Sequence, residues 1–235
     1  MRGQKSGISK ISIIIPVYNE QKHILETIVT AQKSTNSEII LVDAGSEDST
    51  CDIALGTGVK VIASDRGRAV QMNTGAAVAS GDILLFLHAD TLLPSRFDDI
   101  VRETLQKPGV VAGAFQLKIS GKPWGLRLVE WGVDMRSKYF QLPYGDQAIF
   151  FKSEIFNQIN GFPELPIMED FELVRRLKNI GRIAIIPESV LTSGRRWLSR
   201  GILRTTLINQ IIIIGYFLGV SPQRLANWYR KGKLR

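Results

Sequence analysis

A chain of 235 residues, 44% hydrophobic and 22% charged, can fill one full core, which excludes a disordered chain or one embedded wholly in lipid. The single cysteine, Cys51, excludes a disulfide framework or cysteine metal cluster and suits a reducing compartment, the cytoplasm. A formal charge of +8 calls for an anionic partner; without a zinc finger, an RNA-binding aromatic signature or a long basic tract, nucleic acid is not expected, leaving a phosphorylated substrate or lipid headgroups.

The N-terminal MRGQKSGISKISIIIPV has a basic start and an apolar run. The run is short, contains Ser12 and meets Pro16 without a small-residue cleavage site, so it reads as a strand and not a leader. Four such runs follow one another, at 11–17, 38–43, 59–64 and 82–90. Each is β-branched and nearly continuous, and segments of helical length separate them, the pattern of parallel strands covered on both faces. Asn19 and Glu20 are placed to open a helix through HILETIVTAQ, and residues 46–49 supply caps before TCDIAL. Residues 67–79, rich in Gly and Ala, predict a helix lying close on the sheet.

The second half is less regular. Strands are expected at 110–119 and 147–152, and helices at 126–140 and 168–181, the last ending at Gly181. From Leu198 the chain carries LINQIIIIGYFLGV (207–220) between basic residues. This run falls short of the ~20 apolar residues a membrane-crossing helix needs. It predicts a helix that packs on its own core, pairs with a second copy, or lies on a membrane surface. The economical division is a domain at 1–197 and a helical extension at 198–235, cytoplasmic, or at the inner face of the membrane if the extension docks there.

In wound sheets ligands sit beyond the carboxyl ends of the strands. Asn19 and Glu20 follow the first run, Asp43 the second, Asp65 and Arg66 the third, and His88 and Asp90 the fourth. Each alone reads as a turn former or cap, but recurrence at four equivalent positions points to a shared crevice. As strand residues His88 and Asp90, two apart, would face one side. Asp90 suits a hard divalent cation, Mn²⁺ or Mg²⁺, which takes few protein carboxylates alongside substrate phosphates. Glu169 and Asp170 sit in a helix's first turn, where they complement the dipole or supply a general base. Arg66, Arg68, Arg195 and Arg196 have the planar fork that fits diphosphate oxygens.

Together PVYNE (16–20), VDAGSEDST (42–50), RGRAVQMNTGAAVASGDILLFLHADT (66–91), GDQAIFF (145–151) and MEDFELVRRL (168–177) resemble the ordered motifs of glycosyltransferase family 2. The resemblance implies an α/β, GT-A type fold with a Rossmann-like, mostly parallel sheet. It also implies a nucleotide-diphosphate sugar donor, commonly a UDP-sugar, a divalent metal, and inversion at the anomeric carbon. By position it places Pro16, Tyr18, Glu20, Asp43, Asp65, Arg68 and His88 around the nucleotide. Asp90 falls on the metal ligand and Asp170 on the catalytic base, with Gly145, Asp146 and Gln147 on the acceptor side. His88 stands where the family has the first aspartate of its Asp-x-Asp motif. The SGRRW stretch and short tail are similar to a bacterial subgroup linked to arsenosugar formation; the acceptor itself is not legible. Two rival readings are a sugar-phosphate nucleotidyltransferase, against which PVYNE presents an acid where a triphosphate needs a basic grip, and a non-catalytic domain docking a membrane or partner.

Overall fold

The computed structural model describes residues 8–231. In the first half the chain forms β1 (Ile11–Val17), α1 (Ile24–Ala31), β2 (Ser37–Asp43), α2 (Thr50–Gly56), β3 (Lys60–Ala63), α3 (Arg68–Ala77) and β4 (Ile83–Phe86). It continues through β5 (Thr91–Leu92), α4 (Phe97–Gln106), β6 (Val110–Ser120), α5 (Gly125–Phe140), β7 (Phe150–Lys152) and α6 (Ser153–Gln158). The last part holds α7 (Glu169–Lys178), β8 (Arg182–Ser193), α8 (Arg195–Arg200), α9 (Ile202–Phe217) and α10 (Pro222–Lys231).

The strands make one sheet of eight in the order β3-β2-β1-β4-β7-β6-β8-β5. The expected parallel core is present: β2 and β4 flank β1 and β3 flanks β2, all parallel. Continuous apolar runs suit this position because both faces are covered. Ile11, Ile13 and Ile15 pack with Ile24, Ile28, Phe97 and Val101 on one side, while Ile14 and Ile40 meet Ala69 and Met72 of α3 on the other. Gly75 explains how closely α3 lies: a Cβ there would sit 2.5 Å from Ile14 Cγ2 and 2.9 Å from Val42 Cγ2.

Two strand pairings set the site. β7 runs antiparallel to β4, with Leu85 opposite Phe150, so the residues that enter β7 lie beside those that leave β4. The two-residue β5 pairs with β8 at Thr91 and Thr192, and the Ser193 N–H donates to the Asp90 carbonyl at 3.0 Å. The end of β8 is thereby fixed next to Asp90.

Several elements differ from the sequence expectation. α1 begins at Ile24, not at Asn19, because Asn19 takes a left-handed backbone (φ 55°) and its side chain accepts from Glu47 N–H at 2.8 Å. Ser49 makes no side-chain cap on α2; Asp48 instead accepts the Thr50 N–H at 3.0 Å. The fourth strand stops at Phe86, and a turn bond from Thr91 N–H to the His88 carbonyl (3.1 Å) replaces the expected extension to residue 90. The expected strand at 147–152 is shorter, since residues 145–147 form a 3-10 turn before β7.

Candidate active site

Beyond the carboxyl ends of β1 and β4 lies a cavity of about 670 Å³, within the range of small-ligand sites. Pro16, Tyr18, Glu20, Arg68, His88, Asp90, Asp146, Glu169, Asp170, Arg195 and Arg196 all line it. Asp43, Asp65, Gly145 and Gln147 are not among its lining residues. Asp43 is buried at the end of β2, where it accepts the N–H groups of Gly45 and Ser46, each at 3.0 Å, and shapes the following loop. Asp65 follows β3, which ends at Ala63. The Gln147 side chain is fully buried: it accepts from Ser137 Oγ at 2.9 Å and donates to the Phe115 carbonyl at 2.9 Å, tying α5 to the sheet.

Asp170 owes its position to both α7 and the turn before β7. Met168, the residue capping α7, is buried and held at φ 70°, a conformation that costs a non-glycine residue of order 1 kcal/mol. It turns the helix's first residues toward the cavity. Asp170 Oδ2 accepts the Gly145 N–H at 2.9 Å and Oδ1 the Phe171 N–H at 2.8 Å. Gly145 suits the contact, because a Cβ there would lie 2.9 Å from His88 Nε2 and 3.3 Å from Asp170 Oδ2.

Charged groups are paired across elements. Arg68 at the start of α3 reaches buried Glu169 at 3.2 Å. Burial raises the Glu169 pKa against the pull of Arg68; for Arg68 burial acts downward, yet Glu169 and Asp170 leave its pKa raised. Arg195 hydrogen-bonds Glu20 and lies 3.2 Å from Asp90, and those two carboxylates raise its pKa, Glu20 foremost. Burial, with Arg68 and Arg196 nearby, holds His88 well below the usual histidine pKa, so its imidazole is neutral. Burial, with Asp170 and Asp90 adding to it, lifts Asp146 to about 6 despite Arg136.

His88 and Asp90 do not share partners as strand alternation implied: His88 Nε2 is buried without a hydrogen bond beside Gly145, while Asp90 turns to Arg195. Sequence reasoning also missed Gln71, buried under the cavity and bonded to the carbonyls of Val17 and Val42 (2.8 Å each). It missed Tyr229 of α10 as well, whose hydroxyl meets Arg196. Arg66 stacks on the Tyr18 ring at 4.4 Å to form one rim.

Among the described residues no group of three His, Cys, Asp or Glu side chains could hold a metal by itself. The donors present still fit a hard cation. Asp90 and Glu20 supply carboxylate oxygen, Glu20 Oε2 is buried without a partner, and the guanidinium between them shows that the spot accepts positive charge. A cation there would draw its remaining ligands from a bound phosphate.

Residues 12–160 match the model of "Glycosyl transferase family 2". The chain belongs to that family. Among curated relatives, glycosyltransferase GlyG of Streptococcus pneumoniae is 30% identical over 106 residues, 41% of this chain and 35% of that protein. The chain spans about a third of the length of the curated relatives it matches. Two solved structures share the fold at 20% identity. Mannosyltransferase PcManGT from Pyrobaculum calidifontis, in complex with GDP-Man and Mn²⁺, gives a TM-score of 0.65 over 88% of this chain and 63% of that one. Glucosyl-3-phosphoglycerate synthase from Mycobacterium tuberculosis, with Mn²⁺, UDP and glucosyl-3-phosphoglycerate, gives 0.61 over 77% and 70%. For this family 2 member the expected mixed α/β, GT-A type fold therefore holds.

Proposed function

We propose that the protein is an inverting glycosyltransferase that moves a sugar from a nucleotide-diphosphate sugar, a UDP-sugar foremost, to an acceptor hydroxyl. The observation that carries this reading is the cavity itself: Asp170, steadied by Gly145, shares it with Asp90 and the arginines 68, 195 and 196. An acid and a cationic wall in one cavity suit a displacement that releases a diphosphate. The solved neighbours bound to GDP-Man or UDP with Mn²⁺ support the donor class.

In the reaction the acceptor oxygen forms a bond to the anomeric carbon as the bond from that carbon to the diphosphate oxygen breaks. The acceptor proton passes to Asp170, whose carboxylate lines the cavity and is oriented by the N–H groups of Gly145 and Phe171, one on each oxygen. Negative charge grows on the leaving diphosphate, and the arginine forks stabilise it. Neutral His88 at the floor adds no competing charge and can donate to a ribose hydroxyl. Asp90 would hold a divalent Mn²⁺ or Mg²⁺ together with diphosphate oxygens, and that ion, when bound, further neutralises the leaving group. Pro16, Tyr18 and Glu20 line the nucleotide side, while Asp43, bonded to the Gly45 and Ser46 N–H groups, acts by holding the loop after β2 and does not itself line the cavity. Residues 1–197 would form the donor-binding domain, and the extension from residue 198 contributes Asn209, Ile212 and Tyr229 to the cavity wall. The narrower form, an arsenical acceptor, gains nothing from the cavity, whose lining holds no cysteine. The lone Cys51 thiol is pushed up to about 11 by burial and Asp43.

The test is thermal: UDP or GDP with Mn²⁺ raises the melting temperature, and Asp90→Ala removes the metal-dependent part of the rise. No shift with either nucleotide at millimolar concentration overturns the reading.

A further inference from the structure

We infer that α5 and α9 form a surface that docks onto an anionic lipid bilayer. Along α5, Trp124, Leu128, Trp131, Met135 and Tyr139 recur at three- and four-residue spacing, so they form one stripe. All five are exposed, Trp124 by 75% and Trp131 by 65%. α9 carries a second stripe, Leu203, Leu207, Ile214 and Leu218 at its C-terminal cap, with Leu203 exposed by 87% and Leu218 by 77%. The helices touch where Gly125 lies against Ile202. Lone exposed apolar residues need no explanation, but two ordered stripes on adjoining helices do. Tryptophan and tyrosine are the residues that favour the boundary between headgroup and acyl chain.

Charge decides what covers these stripes. Between residues 189 and 235 there are nine Lys and Arg and no Asp or Glu, whereas all 22 acidic residues lie before 189. Of these, Arg195, Arg196 and Arg230 line the cavity, while Arg200, Arg204 and Arg224 lie on α8, α9 and α10 outside it, with no acid in the segment to offset them. A symmetric dimer through this face would bring two such segments together and repel itself. Anionic headgroups neutralise it while the apolar side chains enter the acyl boundary. None of the described helices is long and apolar enough to cross a membrane, so the contact lies on the surface. The opposite face of α9, through Asn209, Ile212 and Ile213, lines the cavity. Only one helix, roughly 10 Å across, separates the cavity from the docked surface.

The test needs no turnover, so it stands whether or not the proposed reaction does. In flotation the full chain should bind phosphatidylcholine vesicles that contain phosphatidylglycerol, bind those without it weakly, and be released by high salt. Brominated phosphatidylglycerol should quench the tryptophan emission of the unaltered protein. The double variant Trp131→Gln with Leu207→Gln, both outside the cavity, should lower partitioning roughly tenfold and keep its melting temperature. Failure to bind the anionic vesicles, binding untouched by bromination, or a concentration-dependent dimer dissolved by the same double variant each overturns the inference.

Discussion

The half built on β1 to β4 and the half built on β5 to β8 solve opposite problems. In the first, α3 lies so close to the sheet that Gly75 has no room for a methyl group, and the parallel strands are covered on both faces. In the second, α5 leaves Gly132 with nothing within 4 Å, and α5 and α9 turn whole apolar stripes outward. The first half is a fixed floor that sets where Arg68, His88 and Asp90 stand. The second supplies Asp146, Asp170, Arg195 and Arg196 as walls, held by turns and short pairings. Chemistry that needs both halves should be lost by changing either, but binding and turnover should separate.

The sharpest separation is expected at Asp170, which belongs to the second half. Asp170→Asn keeps the size of the side chain and one of the two backbone hydrogen bonds, from Gly145 or Phe171, but removes the proposed proton acceptor, so kcat should fall by roughly 10²- to 10⁴-fold. The melting shift caused by nucleotide, which rests on Arg68, Arg195 and Arg196 and not on Asp170, should stay. Loss of both together would show that Asp170 also holds the donor.

Asp146 gives a pH signature to the second half. Its folded pKa is about 6 against an ordinary 3.8, so between about pH 4 and 6 the unfolded chain has released a proton that the folded protein still holds. The unfolded state binds fewer protons there, and stability must fall as pH rises, by on the order of 1–3 kcal/mol. Asp146→Asn should flatten that slope in denaturant titrations. A slope unchanged in the variant would place the proton elsewhere.

The first half was legible because its pattern is local. Each parallel strand is a continuous apolar run, and each polar strand end follows from the turn after it. What the sequence hid depended on distant contacts. β8 was missed because its register against β6 jumps between Phe115 and Gln116, with Pro187 and Glu188 interrupting the run. Arg195 was nominated for phosphate, yet its seat between Glu20 and Asp90 depends on the two-residue β5, too short to leave a pattern. His88 and Asp90 looked like a matched pair only while the strand was taken to reach them. The helix start left Glu169 and Asp170 equivalent, and only the family resemblance singled out Asp170; its partner Gly145, 25 residues away, was not legible.

Packing separates the halves directly. Gly75→Leu forces a side chain against Ile14 and Val42 and should cost about 1–3 kcal/mol or unfold the domain. Smaller still is the effect at the seam. Arg195→Ala leaves Glu20 and Asp90 without their shared cation, so the nucleotide-free protein should bind Mn²⁺ several-fold more tightly, followed by electron paramagnetic resonance. The KM for donor should rise, since the same guanidinium is then absent from the diphosphate. Unchanged Mn²⁺ affinity would mean that Arg195 and the cation do not contend for one place.

Gly132 offers the smallest effect and the cleanest contrast with Gly75. It sits inside α5 with a helical backbone and open space where a Cβ would go. Gly132→Ala should therefore stabilise the isolated protein by about 0.5–1 kcal/mol, because alanine loses less backbone freedom on entering a helix. If another protein subunit covered this face closely, the added methyl would meet it, and dissociation by dilution would be needed before the gain appeared. A fluid bilayer yields to one methyl group. The gain in melting temperature should accordingly be the same with and without anionic vesicles, and a gain that vanishes on vesicles would mean that the surface is packed and not merely wetted by lipid.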